Sequence, residues 1–281
     1  MFERDYVELL GLPSGADKVR KDLLESPRGL NGLVFKASDA DATQHLLRDD
    51  GLAMLEPQSF SRPVTIDGVE HQARFRTVRT APELFEAGRV YYCQHFTPEL
   101  VWHRPWMSHS NGVRGLKEMV IVTANAEVDV PRYAKAAQSA PNREGDDWWI
   151  ALSGGFRLTL MSPTGYRARY GGLGVEADGR SSFFGALVFD APDLARIGGF
   201  ASSVADLRVA TGHDLRRWRV SAAAASAEEQ EQCRGGSRSR KHRCPAGHLT
   251  SPHSGSTKTP TVCQRMAMRN TALTSMAAAA R

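Results

Sequence analysis

Two polar side chains, Glu8 and Gln94, stand inside β-prone runs and are the first candidates for a chemical role. Glu8 lies in residues 6–10 and Gln94 lies in residues 90–96. A glutamate carboxylate is a good oxygen ligand for a divalent cation, whereas the neutral amide of glutamine is a weaker one. The two positions therefore suit a site built from oxygen donors.

An internal repeat relates these two runs. In each run a tyrosine precedes an Arg-Gly-Leu sequence by 22 positions, and the two copies are 86 residues apart. The equivalent pairs are Tyr6 with Arg28 and Tyr92 with Arg114. Repeats of this kind indicate a modular fold. The alignment places Glu8 over Gln94.

The repeat also predicts which side chains share a face. Successive side chains of a strand point to opposite sides of the sheet. We therefore expect Glu8 and Gln94 to face one shared surface, and Leu9 and His95 to face the opposite, helix-covered side. A register error of one residue would reverse this arrangement.

Strand and helix patterns alternate along the chain. An apolar run followed by capping residues and a helical pattern begins near Leu33, Met119 and Ala186, with helices predicted over residues 40–48 and around 131–138. Hairpins are predicted at Asp67-Gly68 and Gly154-Gly155. Residues 142–147 are predicted to be a polar loop. The pattern favours an α+β fold.

Residues 93–102, CQHFTPELVW, carry a family resemblance. Together with the tandem pattern they resemble the bacterial glyoxalase-like branch of the vicinal-oxygen-chelate superfamily, over residues 1 to about 200. The resemblance implies tandem βαβββ modules whose mixed, curved sheets form an open cup with helices on the outer face. One such scaffold serves lyases, dioxygenases, epimerases and binding proteins, so the resemblance does not fix a reaction.

The resemblance also implies where a metal would sit, namely on the first and last strands of paired modules. Glu8 matches a last-strand position as ligand or base, with Gln94 one repeat later. The first-strand equivalents are Asn31 and Gly32 in one module and Lys117 and Glu118 in the next. A catalytic metal site usually has three protein ligands. No complete metal site is therefore predicted, although zinc, manganese, nickel or iron is left open.

Three further side chains complete the predicted site. His71, on a strand that neighbours the cup, and Tyr92 are predicted to contact a ligand together with Gln94. Trp102 is either a stacking platform for the ligand or a cover over the crossing between modules. His95 is expected to be a packed core histidine.

The predicted boundaries give two halves and a tail. Residues 1–114 hold the last strand of a truncated first module and a complete second module, and residues 115–220 hold a third module and an incomplete fourth. An added N-terminal edge strand is the alternative for residues 6–10. Residues 221–281 are predicted to be a disordered basic tail, because residues 222–281 contain no Phe, Trp or Tyr.

Charge and hydropathy set the expected partners. Residues 222–281 carry a formal charge of +6, which leaves −1 for the rest of the chain. The predicted folded body therefore does not favour nucleic acid. No stretch has the roughly 20 apolar residues that span a membrane, and a cytoplasmic location is expected. A small molecule is the predicted partner, and a homodimer is left open.

Two functions follow from these observations. The first is a glyoxalase-like small-molecule-binding protein without a complete metal site. The alternative is a metal-dependent lyase or ring-cleaving dioxygenase in which Glu8 acts as ligand or base. The missing first-strand ligands favour the binding protein. Three tail cysteines, Cys233, Cys244 and Cys263, lack the paired spacing of a zinc site.

Overall fold

The computed structural model describes residues 1–11, 26–27, 29–202, 207–211, 218–222 and 273–280. The predicted α+β class is confirmed, with two mixed sheets and few helices. The strands are β1 (Tyr6–Gly11), β2 (Leu30–Ala37), β3 (Gln58–Ile66), β4 (Val69–Arg79), β5 (Arg89–His95), β6 (Gly115–Thr123), β7 (Pro141–Glu144), β8 (Asp147–Ala151), β9 (Arg157–Met161), β10 (Ser182–Asp190), β11 (Leu207–Thr211), β12 (Trp218–Ala222) and β13 (Leu273–Ala280). The helices are α1 (Ala40–Asp49), α2 (Ala126–Ala137), α3 (Pro163–Tyr170) and α4 (Leu194–Ser202).

Parts of the predicted organisation fall outside these ranges. The tail predicted from residue 221, with its three cysteines, lies outside the described residues except for the end of β12 and for β13. None of the helices in the described ranges is long and apolar enough to cross a membrane.

The first complete module runs from β2 to β5. Its sheet has the order β1-β13-β2-β5-β4-β3, with β2 parallel to β5 and β4 antiparallel to both of its neighbours. Asp39 starts α1, because its Oδ1 accepts a hydrogen bond from the Ala42 backbone N–H at 3.0 Å. The predicted hairpin between β3 and β4 is confirmed. Asp67 and Gly68 form its turn with positive φ angles of 51° and 81°.

The second complete module runs from β6 to β9 with the same topology. Its sheet has the order β10-β6-β9-β8-β7, and β6 is parallel to β9 as β2 is to β5. The predicted hairpin between β8 and β9 is confirmed. The loop predicted over residues 142–147 is wrong, since residues 141–144 form β7 and pair with β8. Two βαβββ modules therefore follow each other along the chain.

The main core lies between the two sheets and contains residues of both modules. Leu33, Phe35 and Tyr92 of the first module belong to the same cluster as Met119 and Tyr133 of the second. The helices α1 and α2 contribute Leu47, Val130 and Ala136 to it. The opposite faces of the sheets carry separate, smaller clusters. Each sheet therefore has one face turned towards the shared core and one turned away from it.

We name the two outward faces by their residues. The first cup is the face of the six-stranded sheet that carries Val34, Cys93 and His95. The second cup is the face of the five-stranded sheet that carries Glu118, Arg157 and Thr159.

The N-terminal segment is tied to β6 by Asp5, which is 8% exposed and accepts a hydrogen bond from the Leu116 backbone N–H at 3.1 Å. Burial raises the pKa of Asp5 to about 6, although the Leu116 hydrogen bond lowers it in part. A carboxyl whose pKa is raised in the folded state binds its proton more tightly there. Stability is therefore lost as the pH rises from about 4 to about 6.

The loss of stability with rising pH can be tested with the Asp5→Asn variant. The amide keeps an acceptor for Leu116 but carries no charge. The free energy of unfolding of the variant at pH 7.5 should therefore be about 2 kcal/mol higher than that of the unaltered protein. Urea unfolding at pH 4 and pH 7.5 measures the difference. Asp67→Asn, at an exposed turn, is the control and should change neither value. A loss of stability at pH 7.5 for Asp5→Asn would contradict the argument.

Candidate functional site

His95 lies at the centre of the first cup. Its ring is 4.8 Å from the ring of Trp102, 5.2 Å from Phe75 and 6.4 Å from Tyr6. Strand pairing explains the cluster, because Phe75 of β4 is the register partner of His95 in β5. The loop after β5 brings Trp102 back over the same face. Four rings therefore close much of this cup.

Gln94 lies on the other side of the sheet. Its Oε1 accepts a hydrogen bond from the Ala40 backbone N–H at 3.0 Å, so the side chain satisfies the N-terminal end of α1. The predicted orientation of Gln94 and His95 is therefore wrong and must be exchanged. The 22-residue repeat placed the two last strands one residue out of register, and a shift of one residue exchanges the faces.

Tyr92 and His71 are also separated from the centre of the first cup. Tyr92 is 5% exposed on the core side, where its hydroxyl donates to the Ala136 carbonyl at 2.6 Å. His71 is exposed on β4 and lies four residues from Phe75, roughly 13 Å along the strand. The predicted ligand contacts of these two residues are not brought together by the fold.

Glu8 and Trp102 do share the first cup. Tyr6, two residues before Glu8 on β1, packs against Trp102 with their ring centroids 5.8 Å apart. Burial raises the pKa of Cys93 to about 12, and the charge of Glu8 adds to this shift. The ammonium of Lys36 lies 5.0 Å from the centre of the Trp102 ring. The structure therefore groups Trp102 and Lys36 around His95, with Glu8 on the same face of the sheet.

The imidazole of His95 is held in its neutral form. Burial, together with the nearby charge of Lys36, lowers its pKa to about 4 against a smaller opposing effect of a hydrogen bond with the Cys93 backbone. The Cys93 sulfur lies 3.9 Å from Nε2 of this ring. At neutral pH the pair is therefore a thiol beside a neutral imidazole.

The first cup does not fit a metal centre. Within the described ranges, no group of three histidine, cysteine, aspartate or glutamate side chains is placed to hold one ion. The ammonium of Lys36 also stands close enough to His95 to lower its pKa. The cleft beside these residues has a volume of about 10 Å³ and is lined in part by Arg4 and Val34.

The second cup is wider and more polar. Its cavity volume is about 310 Å³. Its lining consists of Glu144, Asp147, Trp148, Trp149, Arg157, Thr159 and Arg169. Helix α3 closes one end of the cup, where the Tyr166 hydroxyl donates to the Gly185 carbonyl at 2.7 Å. The open part lies beside Arg169, near the other end of this helix.

A buried ion pair forms the floor of the second cup. Glu118 of β6 is 3% exposed and receives two hydrogen bonds from Arg169 of α3, at 2.8 and 3.0 Å. Burial by itself would raise the pKa of Glu118, but the hydrogen bonds and charge of Arg169 lower it overall. Arg157 lies 3.5 Å from the same carboxylate. Glu118 therefore stays ionised between two guanidinium groups.

Sequence reasoning found Glu118 only as a first-strand position and missed Arg157 and Arg169. Arg157 and Thr159 alternate with the buried Leu158 along β9, so a period of two marks the cup face. Helix α3 also has a sequence signal. Ser162 caps it and Pro163 follows as its first residue, which is a common start of a helix.

Residues 1–137 match the model of a family described as a glyoxalase-like domain. No curated protein matches the chain, whereas 62 chains of solved structures do. A hypothetical protein from Staphylococcus aureus shares 9% identity with a TM-score of 0.43, covering 62% of this chain and 59% of its own.

Methylmalonyl-CoA epimerase from Mycobacterium tuberculosis shares 19% identity with a TM-score of 0.29, covering 38% of this chain and 75% of its own. The matched region thus spans about three fifths of the first of these two structures. The family match coincides with the complete βαβββ module at β2–β5 and continues through α2. Residues 1–137 of the chain are therefore similar to a glyoxalase-like domain.

Proposed function

We propose that the protein binds a small molecule in the second cup. The observation that carries the proposal is the cavity of about 310 Å³ beside Trp149. Small-molecule pockets in proteins usually enclose about 300–1,000 Å³. The cleft of the first cup, at about 10 Å³, falls below that range because aromatic rings fill it.

The lining of the second cup supports the same proposal. Trp149 and Thr159 are register partners on β8 and β9, so an aromatic face lies next to a hydroxyl. Charged groups of both signs, Arg157 and Asp147 among them, surround this pair. A ligand site typically combines apolar area with a few well-placed polar groups that orient the ligand.

The first cup is assigned a supporting role in this proposal. Tyr6, His95 and Trp102 pack together there, and burial keeps both the imidazole and the Cys93 thiol neutral. The same contacts that unite these residues occupy the space a ligand would need. We therefore assign binding to the second cup and packing to the first.

Saturation-transfer NMR tests the proposal on the full chain. The probe mixture contains benzoate, benzylamine and phenol, which share a ring and differ in charge. At least one probe should receive saturation from the protein, and Trp149→Ala should weaken or remove that signal, because the ring contributes apolar surface to the cavity. Trp106→Ala is the control, since Trp106 is 39% exposed on the loop after β5.

Two outcomes would contradict the proposal. One is that none of the three probes receives saturation. The other is a signal that survives in Trp149→Ala but is lost in Trp106→Ala, which would move the contact away from the second cup.

A further inference from the structure

The charges of the second cup are unequally engaged. Arg169 is held by Glu118 through two short hydrogen bonds, and its side chain is 16% exposed. A bidentate arginine–carboxylate pair of this kind is strong and geometrically fixed. Arg169 and Glu118 therefore form a closed pair that a ligand would not easily open.

Arg157 is held much more loosely. It forms ion pairs with Glu118 at 3.5 Å and with Glu144 at 3.7 Å. The Glu144 side chain is 74% exposed, and ion pairs with solvent-exposed partners contribute little. Since Glu118 already neutralises Arg169, the guanidinium of Arg157 is the cation in this cup that is best placed to exchange its partner.

The surroundings of Arg157 suit a flat, negatively charged molecule. Its neighbours along the cup face are Thr159, two residues away on β9, and Trp149, which pairs with Thr159. The planar guanidinium matches the two oxygens of a carboxylate. Asp147 opposes an anion, but burial raises its pKa and so makes its charge easier to neutralise with a proton.

We propose that the second cup takes a small aromatic carboxylate, which pairs with Arg157 in place of Glu144 while its ring lies against Trp149. This assignment rests on the proposed function and adds the ligand class and a competitor within the chain. Glu144 occupies Arg157 when the ligand is absent, and its exposed side chain turns out to solvent when the ligand binds.

Benzoate titration by calorimetry on the full chain tests the assignment. Arg157→Gln should weaken benzoate binding about tenfold or more, because it removes a hydrogen-bonded charge from the ligand. Glu144→Gln should tighten binding roughly two- to fivefold, because it removes an exposed competitor. Benzylamine should bind more weakly than benzoate to the unaltered protein.

Matched controls separate these effects from a general change of charge. Arg167→Gln and Glu176→Gln remove the same charges from an exposed pair in which the side chains are 79% and 78% exposed. Neither should alter benzoate affinity by more than about twofold. The Glu144 variant keeps Arg157 and the Glu118 pair, so its result stands even if Arg157→Gln folds poorly.

Several results would overturn the assignment. One is equal benzoate affinity for Arg157→Gln and Arg167→Gln, and another is no gain in Glu144→Gln over Glu176→Gln. Binding of benzylamine or phenol at Trp149 without binding of benzoate would refute the ligand class but leave the proposed function intact. Binding of no probe at all would refute both.

Discussion

Arg169→Met should destabilise the protein by about 3–5 kcal/mol, because it leaves the buried carboxylate of Glu118 without its bidentate partner. Methionine keeps most of the apolar length of the arginine stem, so the loss of charge is the main change. The remaining cation, Arg157, is 3.5 Å from Glu118 and compensates only in part. Urea unfolding at pH 7 measures the effect.

The neighbouring arginine of the same helix provides the control. Arg167 pairs with Glu176 at 3.7 Å, and both side chains are more than three quarters exposed. Arg167→Met should therefore change stability by less than about 1 kcal/mol. Equal losses in the two variants would show that the helix, and not the buried pair, is responsible.

The contribution of Glu118 to stability should depend on pH with opposite signs in the unaltered protein and in Arg169→Met. In the unaltered chain Arg169 lowers the pKa of Glu118 against the effect of burial, so this carboxyl stabilises the fold above its unfolded pKa and the gain is lost as the pH falls. In Arg169→Met burial dominates and raises the pKa. Acidification should then recover stability. Adding Glu118→Gln to Arg169→Met should also recover part of the loss, because no buried charge remains.

The modular fold could be predicted because its signals are local and occur twice. The apolar runs at Leu33 and Met119 each lead into a helix, and Asp67-Gly68 marks a tight hairpin. Each signal depends on a few adjacent residues, and the second copy supports the first. The order of strands in the two sheets then follows from one shared topology.

The site was harder to predict because a face is decided by a single residue of register. The predicted faces of Gln94 and His95 were exchanged, because Gln94 contacts the start of α1 and His95 lies beside Trp102. The repeat spacing aligns the runs only if the intervening loops have equal lengths. The number of residues that each loop uses between its strands cannot be read from the sequence. The spacing therefore could not detect a slip of one position.

The second cup was missed for a different reason. Glu118, Arg157 and Arg169 lie on two strands and a helix, and they meet only when the module has closed. No short motif joins them. The size of the second cup depends on how far α3 covers the sheet. That packing rests on the hydrogen bond between Tyr166 and Gly185, which are 19 residues apart.

Gly88→Ala should be the second most damaging change, with an expected loss of about 2–5 kcal/mol. Gly88 precedes β5 and has a φ of +150°. A Cβ at this position would lie 2.7 Å from the Asn31 carbonyl oxygen and 2.7 Å from the ring of Phe184. Overpacking costs roughly 1–3 kcal/mol, and an unfavourable φ costs a similar amount.

Neither neighbour of Gly88 can move aside easily. The Asn31 carbonyl belongs to the backbone of β2, and Phe184, which is 2% exposed, lies in β10. The clash would therefore force β2 away from the start of β5, the strand that carries Cys93 and His95. Alternatively it would shift β10, which pairs with β6, the strand that carries Glu118. Both cups depend on this contact.

Gly68→Ala separates strain from collision, and thermal melting of the two variants compares them. Gly68 also has a positive φ, of +81°, but a Cβ there would meet nothing within 4 Å. The Gly68→Ala variant should lose only the stability that a positive φ costs an alanine, about 1 kcal/mol or somewhat more. Each kcal/mol lowers the melting temperature of a chain this size by about 2–4 °C. If both variants melt at the same temperature, a Cβ at position 88 costs nothing beyond the strain of a positive φ. The predicted clash with Asn31 and Phe184 would then be wrong.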